Sequence, residues 1–551
     1  MLLRPPPVLL ACGALGAALL TLIVLGHDGK RVLQLAGLAL PLLALMVWPL
    51  RSPRLHRLRS VAVWLGAMVF ALDGVVRAYL LDTYGAAPDS TLVLSAVANT
   101  TAREGAEYLS MHWRAAVAWA VALAVAAVFC ARQARRGARG GPHPWPRSTV
   151  ALLCVALLAG SLAHAGTSWR RLHPVAFWSQ WGRSVADLRA GWADRQAERE
   201  ALHARARAAA PTLARSGAST VVLVITDSVN RDNMSLYGYG RPTTPRLAAQ
   251  KSQLGDALVV LKNAWSVDAS TLPAMRSIFG FGDTGDHDDH GTRDDGTQRP
   301  ADQHLIALAR AAGYKVWWMS NHDDIAIEQQ HARMADVVEM MNRTPGRSSA
   351  SLDGELLDCI QEAMHDPAER KLVIVHLMGA HPHYRLRFPA DANPFDDAPD
   401  AVETDLLRQG RAAWVRQYRH DYDAAVLYHD FVVAETLQIT RHARPRAGEQ
   451  RAWMFLSDHG QEVGHGSDHA GHSPRTASGY RIPALVWRSR WDLPPPPGAA
   501  AQPFRSDWAG WTLADLLDLH WPGLRAERDV LRAGYRWEPP RLPTAVASFT
   551  D

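Results

Sequence analysis

Five apolar runs, at residues 8–26, 32–50, 61–80, 115–131 and 149–165, fill the first third of the chain. Each approaches the ~20 residues that a helix needs to cross the hydrocarbon core of a bilayer. They predict a five-helix transmembrane domain over residues 1–166. Taken alone, the first run, preceded by Arg4, has the form of a signal peptide; the four later runs make it the first of five spans.

Basic residues orient the spans. Arg51, Arg54, Arg57 and Arg59 crowd one loop, and Arg132, Arg135, Arg136, Arg139 and Arg147 crowd another. Both are expected in the cytoplasm, with the mixed loop at 81–112 outside. Five spans then leave the N-terminus inside and everything after about residue 166 outside; Lys30 and Arg31, in the first outer loop, are a mild exception. Residues 1–170 carry a net charge of +10 and the remainder −5, so the overall +5 belongs to the membrane third and does not mark a nucleic-acid surface. Four cysteines in 551 residues exclude a disulfide-dense scaffold.

Asp73 and Arg77 lie four apart on one face of the third run, as a mutual ion pair or as a contact to a lipid headgroup. The spacing at about 91–110 suits an amphipathic helix on the membrane surface, able to bring Thr100, Glu104 or Glu107 to headgroups, or a plain connector. Residues 167–215 read as one or two bridging helices whose Trp169, Trp178, Trp181 and Trp192 fit an interfacial belt. Over 216–551, short β-branched runs alternate with helical stretches, which predicts an α/β domain with a central, mostly parallel sheet.

In such sheets ligands bind beyond the carboxyl ends of the strands. Four predicted strands end in polar residues: one at Asp227, one at Asn321, one at His376 with His381 beyond it, and one at Asp458 and His459. Asp227, Asp458 and His459 offer three ligands to four-coordinate Zn²⁺. A side-chain hydroxyl could be the fourth, its pKa lowered toward that of a nucleophile. Ser270 and Thr271 precede a helix, where phosphate is attracted, although a Ser–Thr pair there also serves as an ordinary N-cap. His469 and His472, on a Gly-rich loop, suit a second metal or phosphate site; the His/Asp-rich loop at 283–290 is read as solvated.

Together these motifs resemble the phosphoethanolamine transferases of Gram-negative inner membranes, within the alkaline phosphatase/sulfatase superfamily. The resemblance rests on Ile225-Thr-Asp-Ser-Val-Asn-Arg-Asp232, Leu236-Tyr-Gly-Tyr-Gly-Arg-Pro-Thr-Thr-Pro245, Ser270-Thr271 before Phe279, His376-Leu-Met-Gly-Ala-His381 and Ser457-Asp-His-Gly460, in that order behind five spans. It implies that Thr271 is the nucleophile that attacks phosphatidylethanolamine, releasing diacylglycerol and forming a phosphoethanolamine–threonine intermediate that an acceptor hydroxyl resolves. It also implies that Asp227, Asp458 and His459, with Thr271, hold zinc. His381 aligns with a histidine that binds the phosphoryl group or a second zinc; its partner falls in the 465–472 loop, where spacing from Asp458 favours His469 over His472. His376 is expected to support the site, and Asn321 falls where the family often contacts substrate.

Two departures narrow the expectation. Lipid A-modifying members usually have Glu where this chain has Asp227, and they carry several disulfides, whereas here only Cys359 lies outside the spans. The His-Leu-Met-Gly-Ala-His motif and Tyr422-Asp-Ala-Ala-Val-Leu-Tyr428 look more like the branch that decorates the lipopolysaccharide core. A core sugar such as heptose is therefore the expected acceptor, then lipid A. The rivals are a phosphoglycerol transferase acting on periplasmic glucan or another envelope glycan, a sulfatase, and a non-enzymatic membrane assembly protein. Ser270-Thr-Leu-Pro-Ala-Met-Arg276 lacks the C/S-x-P/A-x-R spacing of a sulfatase nucleophile.

Overall fold

The structure, a computed structural model, describes residues 7–550 apart from much of 112–146, residues 282–302 and 342–350, and scattered short stretches. The chain divides into two compact units, residues 1–98 with 104–189, and residues 99–103 with 190–551.

In the first unit, α1 (Pro7–Gly26), α2 (Gly29–Val47), α3 (Pro53–Tyr84) and α6 (Arg147–Ala165) cover four of the apolar runs. Among the described residues, two helices are long and apolar enough to cross a membrane, over Gly29–Met46 and Arg54–Asp82; shorter apolar stretches are Gly13–Gly26 and Ala151–Leu162. The run at 115–131 lies largely outside the described residues, as does the loop at 283–290. The segment expected as one surface helix is two, α4 (Thr91–Asn99) and α5 (Ala102–Met111). Glycine brings α1 and α3 together: a Cβ on Gly74 would lie 2.5 Å from the Leu22 carbonyl oxygen, and one on Gly26 would lie 2.7 Å from that of Gly74.

Asp73 and Arg77 form the buried ion pair that their spacing allows, at 2.9 Å. His27 Nε2 lies 2.9 Å from Asp73 Oδ2, and the Trp178 indole donates to Oδ1 at 2.9 Å. Trp181 donates to the Pro88 carbonyl at 2.7 Å. Trp178 and Trp181 thus use their N–H groups inside this unit.

The residues expected to bridge form α7 (Pro174–Ala193) and α8 (Gln196–Ala208). The division between the units falls after Arg189, and α8 buries Leu202 and Ala206 within the second.

The second unit is built on a seven-stranded mixed sheet. In chain order its strands are β1 (Ser219–Thr226), β2 (Leu258–Val260), β3 (Lys315–Ser320), β4 (Val337–Met340), β5 (Arg370–Leu377), β6 (Gln450–Ser457) and β7 (Ala484–Arg488), and in space they run β2-β7-β6-β1-β5-β3-β4. β6, β1, β5, β3 and β4 are mutually parallel, and β7 is antiparallel to both of its neighbours. Along β1, Val221, Leu223 and Ile225 enter one core while Val222 and Val224 enter the other. That two-residue period, with every position buried, marks a central strand covered on both faces. α8, α10 (Thr271–Phe279), α11 (Leu305–Ala311) and α15 (Ala509–Leu516) cover the first face. α9 (Pro245–Leu254), α13 (Leu356–His365) and the long α14 (Ala413–His442) cover the second. Because five neighbouring strands are parallel, the segments leaving their last residues emerge at one edge.

Candidate active site at the carboxyl edge of the sheet

β1 delivers Asp227 to that edge, and the adjacent β6 delivers Asp458 and His459; all three are fully buried. α10 begins at Thr271 and directs its hydroxyl at the same place. Thr271 Oγ1 donates to Asp227 Oδ2 at 3.0 Å and lies 3.5 Å from His459 Nε2. His459 Nε2 is 3.9 Å from Asp227 Oδ1 and 3.6 Å from Asp458 Oδ2. The His459 Nδ1–H is taken by the Gly460 carbonyl at 2.7 Å, which leaves the Nε2 lone pair facing the carboxylates and the threonine. Ser270 occupies the N-cap position of α10, but its buried hydroxyl makes no cap bond and has no partner among the described residues.

The turn after β1 is tightly constrained. Ser228 adopts a left-handed φ of 62°, a costly conformation outside glycine, and from it donates its amide to Asp458 Oδ1 at 3.1 Å. Its hydroxyl donates to Asp227 Oδ1. Gly379, on the His376–His381 turn, has φ +54°, and a Cβ there would lie 2.0 Å from Thr226 Oγ1. Only glycine lets this turn pass behind Asp227, where the Ala380 amide donates to the Asp227 carbonyl at 3.0 Å.

Asp227, His459 and His472 form a group of possible metal ligands whose donor atoms lie within 4.8 Å of one another. Spacing pointed first to His469, and the structure corrects this. Glu462–Val463 pairs antiparallel with Ala470–Gly471, so the loop folds back and returns His472 to the His459 end. The His472 and His459 rings lie 4.5 Å apart, and His472 Nε2 is 3.3 Å from the Ser228 hydroxyl. His469 Nε2 meets the His472 carbonyl at 3.1 Å, and His465 meets the Asn233 side chain at 2.8 Å.

His381 approaches His472, with ring centroids 6.2 Å apart. His376 takes a hydrogen bond from Ser320 at its Nδ1 and stacks on His322 at 4.1 Å. His322 is a site residue that the sequence reading missed; its Nε2 lies 4.0 Å from Asp227 Oδ2. Its signal was its place directly after Asn321, one step further beyond the end of β3. Asn321 itself does not reach the cluster. Its amide donates to the Ser351 carbonyl at 3.2 Å and to Asp353 Oδ1 at 3.0 Å, while its oxygen accepts from Ser351 at 2.8 Å. Asp353 in turn accepts from the amides of Met378 and Gly379, so Asn321 braces the turn that carries His381.

The electrostatics set the two carboxylates apart. Burial raises the Asp227 carboxyl, yet any proton held on the surrounding His381, His459, His322 and His472 imidazoles pulls it well below the usual carboxylate range. Burial and then the neighbouring Asp227 charge push Asp458 up to about 7. Burial alone would lower His459, but Asp458 and Asp227 raise it. Burial drives His381 and His376 well below 6.5 and His472 to about 3, leaving neutral imidazoles with lone pairs to offer. Asp458 Oδ2 is buried with no hydrogen-bond partner among the described residues. Two carboxylates, one of them with an orphaned buried oxygen, and two imidazoles form a donor set that fits a divalent cation.

The Tyr-Gly-Tyr-Gly-Arg-Pro-Thr-Thr-Pro segment, by contrast, is scaffold. Arg241 pairs with Asp423 at 2.8 Å and with Asp400 at 2.6 Å, and Tyr239 donates to Asp423 at 2.6 Å.

The family described as Sulfatase matches residues 219–516, more than half of the chain and inclusive of the whole cluster. Phosphoethanolamine transferase EptC of Escherichia coli K12 is 32% identical over 286 residues, which cover 50% of this chain and 46% of EptC. Phosphoethanolamine transferase CptA of Salmonella typhimurium is 27% identical over 479 residues, 80% of this chain and 76% of CptA. The chain thus spans about half the length of the first of these relatives. Among solved structures, the C-terminal periplasmic domain of E. coli EptC in complex with Zn is similar at a TM-score of 0.51 and 28% identity, over 59% of this chain and 89% of that chain. Across 95% of this chain and 97% of its own, the integral membrane protein lipooligosaccharide phosphoethanolamine transferase A of Neisseria meningitidis shares the fold, at a TM-score of 0.56 and 19% identity. The chain therefore belongs to the sulfatase family and, within it, resembles the phosphoethanolamine transferases.

Proposed function

We propose that this chain is an inner-membrane enzyme that transfers phosphoethanolamine from phosphatidylethanolamine to a lipopolysaccharide acceptor, a core sugar such as heptose or lipid A. The carrying observation is the Thr271 hydroxyl at the start of α10, 3.0 Å from Asp227 and 3.5 Å from His459, in a chain similar to named phosphoethanolamine transferases.

Thr271 Oγ1 forms a bond to the donor phosphorus as the bond to the diacylglycerol oxygen breaks. Asp227 Oδ2, which already accepts the threonine hydrogen bond, receives the proton, and the departing diacylglycerol oxygen takes one up. The start of α10 turns the positive end of the helix dipole toward the phosphoryl oxygens, an arrangement that favours anions. His381 and His472, both neutral, orient the phosphoryl group. An acceptor hydroxyl then attacks phosphorus as the bond to Thr271 breaks; the threonine oxygen takes back its proton from Asp227, and the acceptor's proton passes to solvent, balancing the one that the diacylglycerol oxygen took from it. Asp227, Asp458 and His459, with Thr271 and with His472 alongside, would hold zinc, which supplies Lewis-acid stabilisation of charge on oxygen.

Five spans, with the N-terminus in the cytoplasm and the catalytic unit in the periplasm, complete the reading. A reporter fused after residue 140 is expected to read cytoplasmic and one after 200 periplasmic; the reverse overturns the topology. The function is tested with the purified chain, zinc and phosphatidylethanolamine bearing a fluorescent acyl chain. Release of labelled diacylglycerol and a phosphoethanolamine adduct on Thr271 are expected. Absence of both, with zinc bound, removes the donor assignment, and turnover of phosphatidylglycerol instead would make the chain a phosphoglycerol transferase.

A further inference from the structure

A second polar cavity lies in the catalytic unit and shares no residue with the threonine cluster. It opens between α8, the last turn of α10 and the end of α12 (Ile325–Gln330). Arg195, Arg199 and Arg276 line it, together with His304 and His331. Among the described residues Glu198 is the acid in its wall, and it pairs with Arg195 at 2.9 Å. Arg199 reaches the carbonyl and side-chain oxygens of Gln329, at 2.8 and 3.1 Å.

The two histidines define what the cavity can bind. The Ile306 amide donates to His304 Nδ1 at 3.2 Å, an N-cap bond at the start of α11. His304 Nδ1 is therefore an acceptor, and a neutral His304 carries its proton on Nε2. That N–H donates to His331 Nδ1, 3.0 Å away. A neutral His331 must then carry its own proton on Nε2. Burial pushes His304 down to about 3, and burial together with His304, Arg276 and Arg195 pushes His331 well below 6.5, so both rings are neutral at pH 7. Phe279 packs on both imidazoles, at 5.6 and 5.2 Å between centroids, and holds them in place. The relay that starts at a backbone amide thus ends in an N–H donor on His331, a residue only 3% exposed, and that Nε2 has no partner among the described residues.

Buried donors without acceptors are rare in folded proteins. A metal ion is excluded here, because the arginines repel it and the nitrogen on offer bears a proton. We infer that this cavity is an oxyanion site that takes a phosphate group, which accepts from His331 Nε2 and pairs with Arg276 and its neighbouring arginines. A phosphate can arrive on a lipid headgroup or free in solution, and both present the same oxygens to the site.

The test uses the full chain in a phosphate-free maltoside detergent, treated with chelator so that the catalytic cluster carries no metal. Inorganic phosphate and a short-chain phosphatidylglycerol are titrated separately by calorimetry. Each variant, His331→Phe and Arg276→Gln, is expected to weaken binding about tenfold or more, while Arg276→Lys retains most of the affinity and Asp227→Asn leaves it unchanged. Tighter binding of the lipid identifies a headgroup site, and tighter binding of phosphate a soluble-anion site. Affinities that do not respond to His331→Phe or Arg276→Gln, or no binding of either anion, overturn the proposal. Should the variants fail to fold, the unaltered chain decides: phosphate is expected to protect Arg276 and Arg199 from phenylglyoxal as read by mass spectrometry, and unprotected labelling overturns the site.

Discussion

Two buried polar clusters, one in each unit, both centre on aspartate and histidine and differ in completeness. Around Asp73, the Arg77, His27 and Trp178 donors satisfy both carboxylate oxygens. Around Asp227 and Asp458, two carboxylates face His459, which they raise, and the neutral His472 with too few donors, and Asp458 Oδ2 is left without a partner among the described residues. A polar network that serves only the fold closes on itself, because an unmet buried charge is costly. One that serves chemistry tolerates a deficit that something from outside is meant to fill.

The largest effect that this contrast predicts is on turnover. Thr271→Ala should lower transfer by ~10³-fold or more while leaving the thermal transition of the chain in place; transfer at the wild-type rate would sink the threonine assignment. Next comes the metal. His472→Ala should weaken zinc by ~10–100-fold in chelator competition, and His469→Ala should leave it nearly unchanged. Equal effects would return His469 to the site.

The two clusters should also respond oppositely to loss of an acid. Asp73→Asn leaves Arg77 buried without its charge partner and should destabilise the first unit by ~3 kcal/mol. Asp458→Asn removes one of two crowded carboxylates and should stabilise the zinc-free chain by ~1 kcal/mol while impairing zinc binding. Thermal unfolding with and without zinc reads both, and a stability loss in zinc-free Asp458→Asn would erase the distinction.

At neutral pH the smallest effect belongs to a third kind of buried polar group, which shows itself only in acid. His429, on α14, lies 5.9 Å from the Phe455 ring with both nitrogens buried and without partners among the described residues. Burial lowers its folded pKa to about 3, below the unfolded value. Its neutral form therefore supports the fold fully above pH ~6.5, and that support is lost as pH falls from there toward 3, by up to ~1.4 kcal/mol per unit. His429→Leu should flatten the acid limb of stability, and an unchanged slope would count against a neutral core histidine.

The sites most legible in the sequence were those fixed by strand direction. Asp227, Asp458 and His459 could be grouped from residues far apart in the chain because parallel neighbouring strands must release their succeeding residues at a common edge. The Asp73–Arg77 pair was legible because helical spacing alone puts i and i+4 on one face. Contacts between loops set the features that escaped. Asn321 has the right address beyond β3, yet its amide is engaged by Ser351 and Asp353. His322, the next residue, brings its Nε2 to the Leu377 carbonyl at 3.1 Å and to within 4.0 Å of Asp227 instead. The Tyr239–Arg241 segment contributed to the resemblance as a motif, and its side chains tie the turn after β1 to Asp423 of α14 and to Asp400.

By itself, the sequence determined the apolar runs, the alternation of strand and helix, and which residues stand at strand ends. All of these come from local periodicity and from the geometry of parallel sheets. Only the tertiary structure decided between His469 and His472, because the short pairing of Glu462–Val463 with Ala470–Gly471 sets which imidazole a folded-back loop returns to the edge. Only the tertiary structure, likewise, revealed the relay from Ile306 through His304 to His331, because its proton positions depend on a hydrogen bond between two histidines 27 residues apart in the chain, held in register by the packing of Phe279.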